Sequence, residues 1–331
     1  MKKLLYPLRF KPLYLEKPWG GRRLASDLNR EIPPHLKIGE SWEIADRGMN
    51  STLVAEGEFQ GQNLHWLITS LGVLLLGEEV IRRSPRRFPL LYKILDVGSL
   101  LSLQVHPPDD YARLHEHEEG KTELWYFLEA AAGAAVISGL RPGGREAFER
   151  LLRKGRPEKA VGRLPARAGR SFLIPPGRVH ALAPSCLLVE IQTNSDLTYR
   201  IHDWGRKLPD GSQRPLHWDR ALEVIDYADR GAEPIEGVRQ SVEAGGLTLL
   251  RSGPPFGVEL LEVERTWRDE CRGERFVVLT GVGGKGSVSL SSQPGRVWKI
   301  ERGEFLLLPA YLGEYRIHPS PSLNLLRSYP E

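Results

Sequence analysis

Read for the alternation of apolar and polar positions, the chain breaks into short apolar runs bounded by glycine and proline. Up to residue 193 these runs fall at Leu53–Phe59, Leu90–Leu95, Leu100–Val105, Leu124–Leu128, Ala134–Ser138, Ser171–Ile174 and Cys186–Thr193. Runs of this length, rich in β-branched and aromatic residues, predict strands. Helical periodicity is rarer. Apolar positions at i, i+3 and i+4, such as Phe148, Leu151 and Leu152, predict helices over Arg145–Lys154, Leu64–Ser70 and Trp218–Tyr227. The polar stretch Asp229–Gly237, which holds glycine and proline, reads as a linker. Strand punctuation then resumes at Leu247–Arg251, Phe256–Val263, Arg275–Thr280, Gly286–Leu290, Phe305–Pro309 and Tyr315–His318.

The two stretches on either side of the linker resemble each other. Gly169-Arg-Ser-Phe-Leu-Ile-Pro175 enters a tight turn, and Gly303-Glu-Phe-Leu-Leu-Leu-Pro309 does the same at equal spacing. Each follows a strand pair, around Leu124–Ser138 and Arg275–Leu290. An internal repeat of this kind predicts a mainly β chain of two jelly-roll barrels, with a few helices inserted in the N-terminal half. The expected domains are 1–230, which would be catalytic, and 231–331.

Length agrees with two domains, since 331 residues exceed the size at which one core usually stops growing. Hydrophobic residues are 40% and charged residues 27%, a globular balance. No apolar run approaches the ~20 residues that span a bilayer, so no membrane partner is expected. The first ten residues lack the apolar stretch of a secretion signal, which predicts a cytoplasmic protein. The net charge of +4 comes from basic residues scattered among acids, with no dense basic stripe. An anionic small molecule, and not nucleic acid, is the expected partner. With only Cys186 and Cys271, far apart, neither a disulfide framework nor a thiolate metal site is expected. Any metal falls to histidine and carboxylate.

Three separated elements offer such groups. In Leu103-Gln-Val-His-Pro107 an extended backbone puts Gln104 and His106 on one face. Glu123 opens the run Leu124-Trp-Tyr-Phe127, and His180 follows the turn Pro175-Pro-Gly-Arg-Val179. Two imidazoles and one carboxylate leave a coordination position open, which is the pattern of a catalytic zinc site. His115-Glu-His117 is a rival pair. It lies in the charged segment Pro108–Gly120, which reads as a solvated loop or short helix, whereas His106 ends an apolar strand.

Gly169, Pro175, Gly177 and His180 reproduce the second cupin motif, G(x)5PxG(x)2H, and the earlier QxH with Glu123 resembles the first. More narrowly, five segments together resemble type I mannose-6-phosphate isomerases of the short bacterial kind. They are Phe88-Pro-Leu-Leu-Tyr-Lys-Ile-Leu-Asp96, Ser102-Leu-Gln-Val-His-Pro107, Gly120-Lys-Thr-Glu-Leu-Trp-Tyr126, Pro175-Pro-Gly-Arg-Val-His180 and Asn194-Ser-Asp-Leu-Thr-Tyr-Arg200. The resemblance runs from about Pro12 to Ala228 and weakens beyond. It implies interconversion of mannose 6-phosphate and fructose 6-phosphate with one zinc ion per chain. His106, Glu123 and His180 would be ligands, with Gln104 a candidate fourth. Lys93 and Ser102 would contact phosphate or sugar, and Arg200 would face the reacting carbons.

Aldose–ketose exchange moves a proton between adjacent carbons through a cis-enediolate, so the site must stabilise an oxyanion and supply a base. Zinc and Arg200 suit the first task. Lys121, two residues before Glu123, is the candidate base, since a neighbouring dication favours the neutral amine. Glu190 and Asp196 are expected to orient these cations from behind. The second half has Glu314 where the repeat aligns with His180, so a metal-free C-terminal barrel is expected. The same His–Glu–His set also suits iron-dependent oxygenases, and a bicupin can bind sugar without turning it over. A monomer or a homodimer fits the sequence equally well.

Overall fold

The structure is a computed structural model that describes residues 5–84, 86–231 and 233–331. The start of the N-terminal segment read above for a leader, residues 1–4, and Ala232 in the expected linker lie outside the described residues. The chain is mainly β with few helices. By contacts it divides into two units. One comprises Tyr14–Ser41 and Lys93–Ile235; the other comprises the chain up to Leu13, Trp42–Tyr92 and Glu236–Glu331. Each is discontinuous, so this division differs from the expected 1–230 and 231–331. The helix Leu64–Leu71, expected over Leu64–Ser70 as an insertion in the catalytic half, falls with the unexpected helices Val73–Leu76 and Glu78–Arg83 in the unit that contains the C-terminal sheet.

The Tyr14–Ser41 and Lys93–Ile235 unit contains an antiparallel sheet of five strands. Its order is Val161–Pro165, Ala135–Leu140, His180–Leu182, Leu103–Val105 and Tyr199–His202. The strands Ser171–Ile174, Glu123–Ala130 and Cys186–Thr193 lie side by side in a second sheet. These strands form because their apolar residues have a core to enter on both sides. Leu103, Val105, Phe127, Phe172 and Leu188 are fully buried in one cluster with Trp125, and Phe127 meets Phe172 edge-on at 5.8 Å. Burying each such side chain contributes about 1.5–3 kcal/mol. The helix Gly144–Arg153 lays Phe148 and Leu152 on the same cluster, with Glu149 bridging Arg145 and Arg153 at 2.7 Å each on its outer face.

In the other unit an antiparallel sheet runs Arg239–Val242, Gly245–Arg251, Phe256–Val263, Gly313–Pro330, Val277–Leu290 and Val297–Glu301. Trp267–Cys271 pairs with Gly313–Pro330, and Phe305–Leu308 pairs with Val277–Leu290. The expected strands Arg275–Thr280 and Gly286–Leu290 are one continuous strand, bulged at its glycines. Expected strand Leu53–Phe59 shortens to Leu53–Val54, where it pairs with Phe10–Lys11, because Gly57 turns the chain at φ +85°. Gly77, at φ +93°, caps two helices where an added Cβ would lie 2.3 Å from the Glu274 carbonyl. No helix among the described residues is long and apolar enough to cross a membrane.

Candidate active site

His180 opens its strand directly opposite Gln104, and Arg200 faces Gln104 from the other side. This antiparallel register, set by short strands with buried apolar neighbours, gathers three of the expected site residues in adjacent rows. The turn before His180 is fixed by Gly177, which holds φ +80° and donates its N–H to the His106 carbonyl at 2.9 Å. His106 and His180 are thereby drawn together, with ring centroids 4.7 Å apart. Glu123 opens its strand between Ile174 and Gln192.

His106 and His180 are fully buried and Glu123 is 1% exposed. Each ring donates from Nδ1 to a backbone carbonyl, Leu197 at 2.7 Å and Arg178 at 2.9 Å, so each Nε2 carries a lone pair and no proton. His106 Nε2 lies 3.2 Å from Glu123 Oε1, and His180 Nε2 lies 3.9 Å from Glu123 Oε2. One ligand atom from each residue falls within 4.8 Å of the others, and this is the one such cluster among the described residues. Burial and the nearby Lys121 ammonium lower the His106 pKa, and burial pushes His180 down to about 3. Both rings therefore stay neutral, as metal ligands must. Burial alone would raise Glu123, but the contacts around it, led by the Lys121 charge, outweigh that and hold the carboxylate ionised well below its usual range.

The donor set fits a divalent cation. His106 Nε2 and Glu123 Oε2 are buried and make no hydrogen bond among the described residues. Leaving such atoms unsatisfied costs about 1–3 kcal/mol each, and a cation between them removes that cost. Gln104 points to the same centre, but its oxygen accepts from the Ser102 hydroxyl at 3.1 Å while its nitrogen donates to His180 Nε2 at 3.2 Å. The amide would have to turn over to offer oxygen to a metal.

The remaining expected residues line one cavity of about 220 Å³ with Gln104 and Glu123, while His106 and His180 are not among its lining residues. Lys121 Nζ lies 2.5 Å from Glu123 Oε1. Lys93, 2% exposed, has Glu190 and Asp196 at 3.5 Å and Glu40 at 3.6 Å. Burial opposes its charge, but Glu40, Asp196, Glu190 and Glu123 outweigh that and raise its pKa. Glu190 is pushed up to about 7 by burial and by the Glu123 charge, against the pull of Lys93. Its Oε2 accepts from Trp125 Nε1 at 2.8 Å, and the Trp125 ring stands edge-on to His180 at 5.6 Å. Arg200 donates Nη1 to the Pro215 carbonyl at 2.8 Å, and its buried Nε has no partner among the described residues. The rival histidines stay apart: His115 is exposed on the helix Asp109–Glu116, and His117 caps that helix in the left-handed region.

Sequence reasoning missed Glu40, Lys17, Trp19, Trp125 and Arg214 as cavity residues. One signal was available for Glu40. The run Ile38-Gly-Glu-Ser-Trp-Glu-Ile44 carries two carboxylates inside an apolar strand, and all seven residues are buried. Buried carboxylates need partners, and Glu40 has Lys17 at 3.0 Å.

Comparison with known proteins agrees with this geometry. The sequence model "Phosphomannose isomerase type I, catalytic domain" matches residues 8–125. The mannose-6-phosphate isomerase ManA of Bacillus subtilis is 32% identical over 316 residues, 94% of this chain and 95% of that protein. The mannose-6-phosphate isomerase of Streptococcus mutans is 30% identical over 305 residues, 90% of this chain and 92% of that protein. The crystal structure of the Bacillus subtilis mannose 6-phosphate isomerase superposes with a TM-score of 0.86 at 28% identity, covering 97% of this chain and 99% of that one.

Proposed function

Because the chain belongs to the type I mannose-6-phosphate isomerase family, we propose that it interconverts mannose 6-phosphate and fructose 6-phosphate by proton transfer through a cis-enediolate. The observation that carries this is the buried convergence of His106, Glu123 and His180, with two of their inward atoms making no hydrogen bond among the described residues. A divalent cation held there supplies Lewis acidity for an oxyanion on the sugar; we assign zinc, one per chain, from the two-imidazole, one-carboxylate donor set. Gln104 is the candidate fourth ligand, and Ser102 decides which end of its amide faces the centre.

The chain's own residues account for the rest of the chemistry. Arg200 keeps a buried guanidinium N–H, without a partner among the described residues, for negative charge that develops on the reacting carbons' oxygens. Lys121 is the candidate base, standing on Glu123 beside the cavity. Glu190, pushed up to about 7, is a second group able to hold or release a proton near neutrality, and with Asp196 it fixes Lys93. Lys93 and Ser102 line the space where the sugar lies. The reading keeps the substrate a sugar phosphate and not a nucleic acid, places the protein in the cytoplasm as a monomer or homodimer, and leaves the C-terminal barrel without metal.

A coupled assay of fructose 6-phosphate formation from mannose 6-phosphate tests the proposal. Turnover abolished by a chelator and restored by zinc is expected, and chelator-insensitive turnover would overturn the metal role. The oxygenase reading requires oxygen consumption with iron, and the pure binding reading requires binding without isomerisation.

A further inference from the structure

The charges around the cavity divide into two kinds. Each lysine has a carboxylate beside it: Lys17 on Glu40, Lys93 on Glu40, Glu190 and Asp196, and Lys121 on Glu123. The two arginines, Arg200 and Arg214, differ. Among the described residues the Arg200 guanidinium meets only the Pro215 carbonyl. Arg214 binds Asp203 through Nε at 2.9 Å and Nη2 at 2.6 Å, and Asp203 also holds Arg206 at 3.3 Å. One carboxylate therefore serves two guanidinium groups, and with Arg200 this side of the cavity carries an excess of two positive charges. A sugar phosphate near neutral pH is close to a dianion.

The segment that delivers Arg214 is braced. It closes between Arg200 and His217, where His217 N–H donates to the Arg200 carbonyl at 2.8 Å and Arg200 N–H donates to His217 Nδ1 at 3.0 Å. Trp204 Nε1 donates to the Leu101 carbonyl at 2.6 Å, and Arg206 donates to the Leu100 carbonyl. A turn at its tip is held by Leu208 and Ser212 at 2.8 Å. Asp203 occupies two donors of Arg214 and thereby sets the plane of its fork, while Nη1 has no partner among the described residues. Arg206 shares that carboxylate but does not line the cavity.

We propose that Arg214 is the specificity-determining residue that takes the substrate's phosphate, with Asp203 as its positioning residue, which leaves Lys93 to the carboxylates around it. The proposal rests on the sugar-phosphate reading above. The test uses the metal-loaded enzyme, with inorganic phosphate as the probe in titration calorimetry and mannose 6-phosphate in the coupled assay. Arg214→Leu should weaken phosphate binding and raise KM together by about a hundredfold, as expected for a charged fork worth about two tenfold steps. Its kcat should stay within about threefold, since the kinetic loss is one of uniform binding. Arg214→Lys, which keeps a cation on Asp203, should give an intermediate loss of about tenfold. Unchanged phosphate affinity in either variant overturns the proposal, as does a fall in kcat with phosphate binding intact, or a wild-type enzyme that binds no phosphate. Because calorimetry needs no turnover, a wild type that binds phosphate but does not isomerise would sink the functional reading and leave Arg214 testable.

Discussion

Lys93→Met removes the cation that three carboxylates share, and the consequence should depend on pH. Lys93 is 2% exposed and Glu190 is 3% exposed, so neither can exchange its partner for water. Breaking a buried pair by deleting one member typically costs about 3–5 kcal/mol, because the other charge stays buried. Glu190 has an escape, since it can take up a proton. Its pKa already stands at about 7 against an ordinary 4.5, a gap worth about 3 kcal/mol at 1.36 kcal/mol per pH unit. Without Lys93 it stands higher still. A carboxyl whose folded pKa is raised contributes stability below its unfolded pKa and loses it as pH rises through the folded value. The deficit of the variant relative to wild type should therefore be small, about 1 kcal/mol, at pH 5.5, where Glu190 is protonated in both. It should grow to about 3 kcal/mol by pH 8.5, where the wild type ionises Glu190 against Lys93 and the variant must do so alone. Thermal unfolding of chelator-treated wild type and variant at the two pH values gives the comparison. A deficit equal at both, or larger at pH 5.5, refutes the reasoning.

Glu123→Gln keeps the shape of the site but removes its charge, and should cost at least about a hundredfold in metal affinity; metal analysis after dialysis reads this, and one equivalent retained at micromolar free zinc contradicts it. Because His180 is pushed down to about 3 and His106 is also lowered from its ordinary value, both rings stay neutral at pH 6.5 and above, so bound metal should persist from pH 7.5 to 6.5, and half-loss by pH 6.5 would count against the site. In the metal-free protein the sign is the reverse for stability: the unfolded chain protonates these rings first, so the melting temperature should drop as pH falls below 6.5. Gly77→Ala, at φ +93° with its Cβ 2.3 Å from the Glu274 carbonyl, should lower stability by about 2 kcal/mol or more with metal content unchanged, and a wild-type melting temperature would show that the turn tolerates a side chain.

Strand periodicity revealed the β character and the segments Ser171–Ile174, Cys186–Thr193 and Phe256–Val263 at their observed bounds, because each is a short, mainly apolar run bounded by turn residues. It overlooked Trp267–Cys271 and Val297–Glu301, where charged residues alternate with buried ones in short strands. It could not show that the N-terminal arm joins the unit of the C-terminal sheet. Leu8 exchanges two backbone hydrogen bonds with Leu307, at 2.8 and 2.9 Å. Such pairing is made by main-chain groups that every residue carries, so nothing in the side-chain pattern marks it.

The same contrast explains what was legible in the site. His106 and His180 stand out because imidazole is an uncommon group with specific chemistry, and each follows a short apolar or turn segment that fixes its place. Glu40, Lys17 and Arg214 are of types that most often serve solvated surfaces, and only the fold tells a buried one from an exposed one. Glu40 reaches Lys93 across 53 residues of sequence, a separation at which no local pattern survives. Yet these hidden charges are what let the recognised ones function. Lys93 would otherwise be an isolated ammonium in a buried site, and Arg214 would lack the carboxylate that sets its plane. A motif thus identifies the atoms that converge in the candidate metal centre, while the balance of charge that makes their burial tolerable is distributed over residues that only the folded chain brings together.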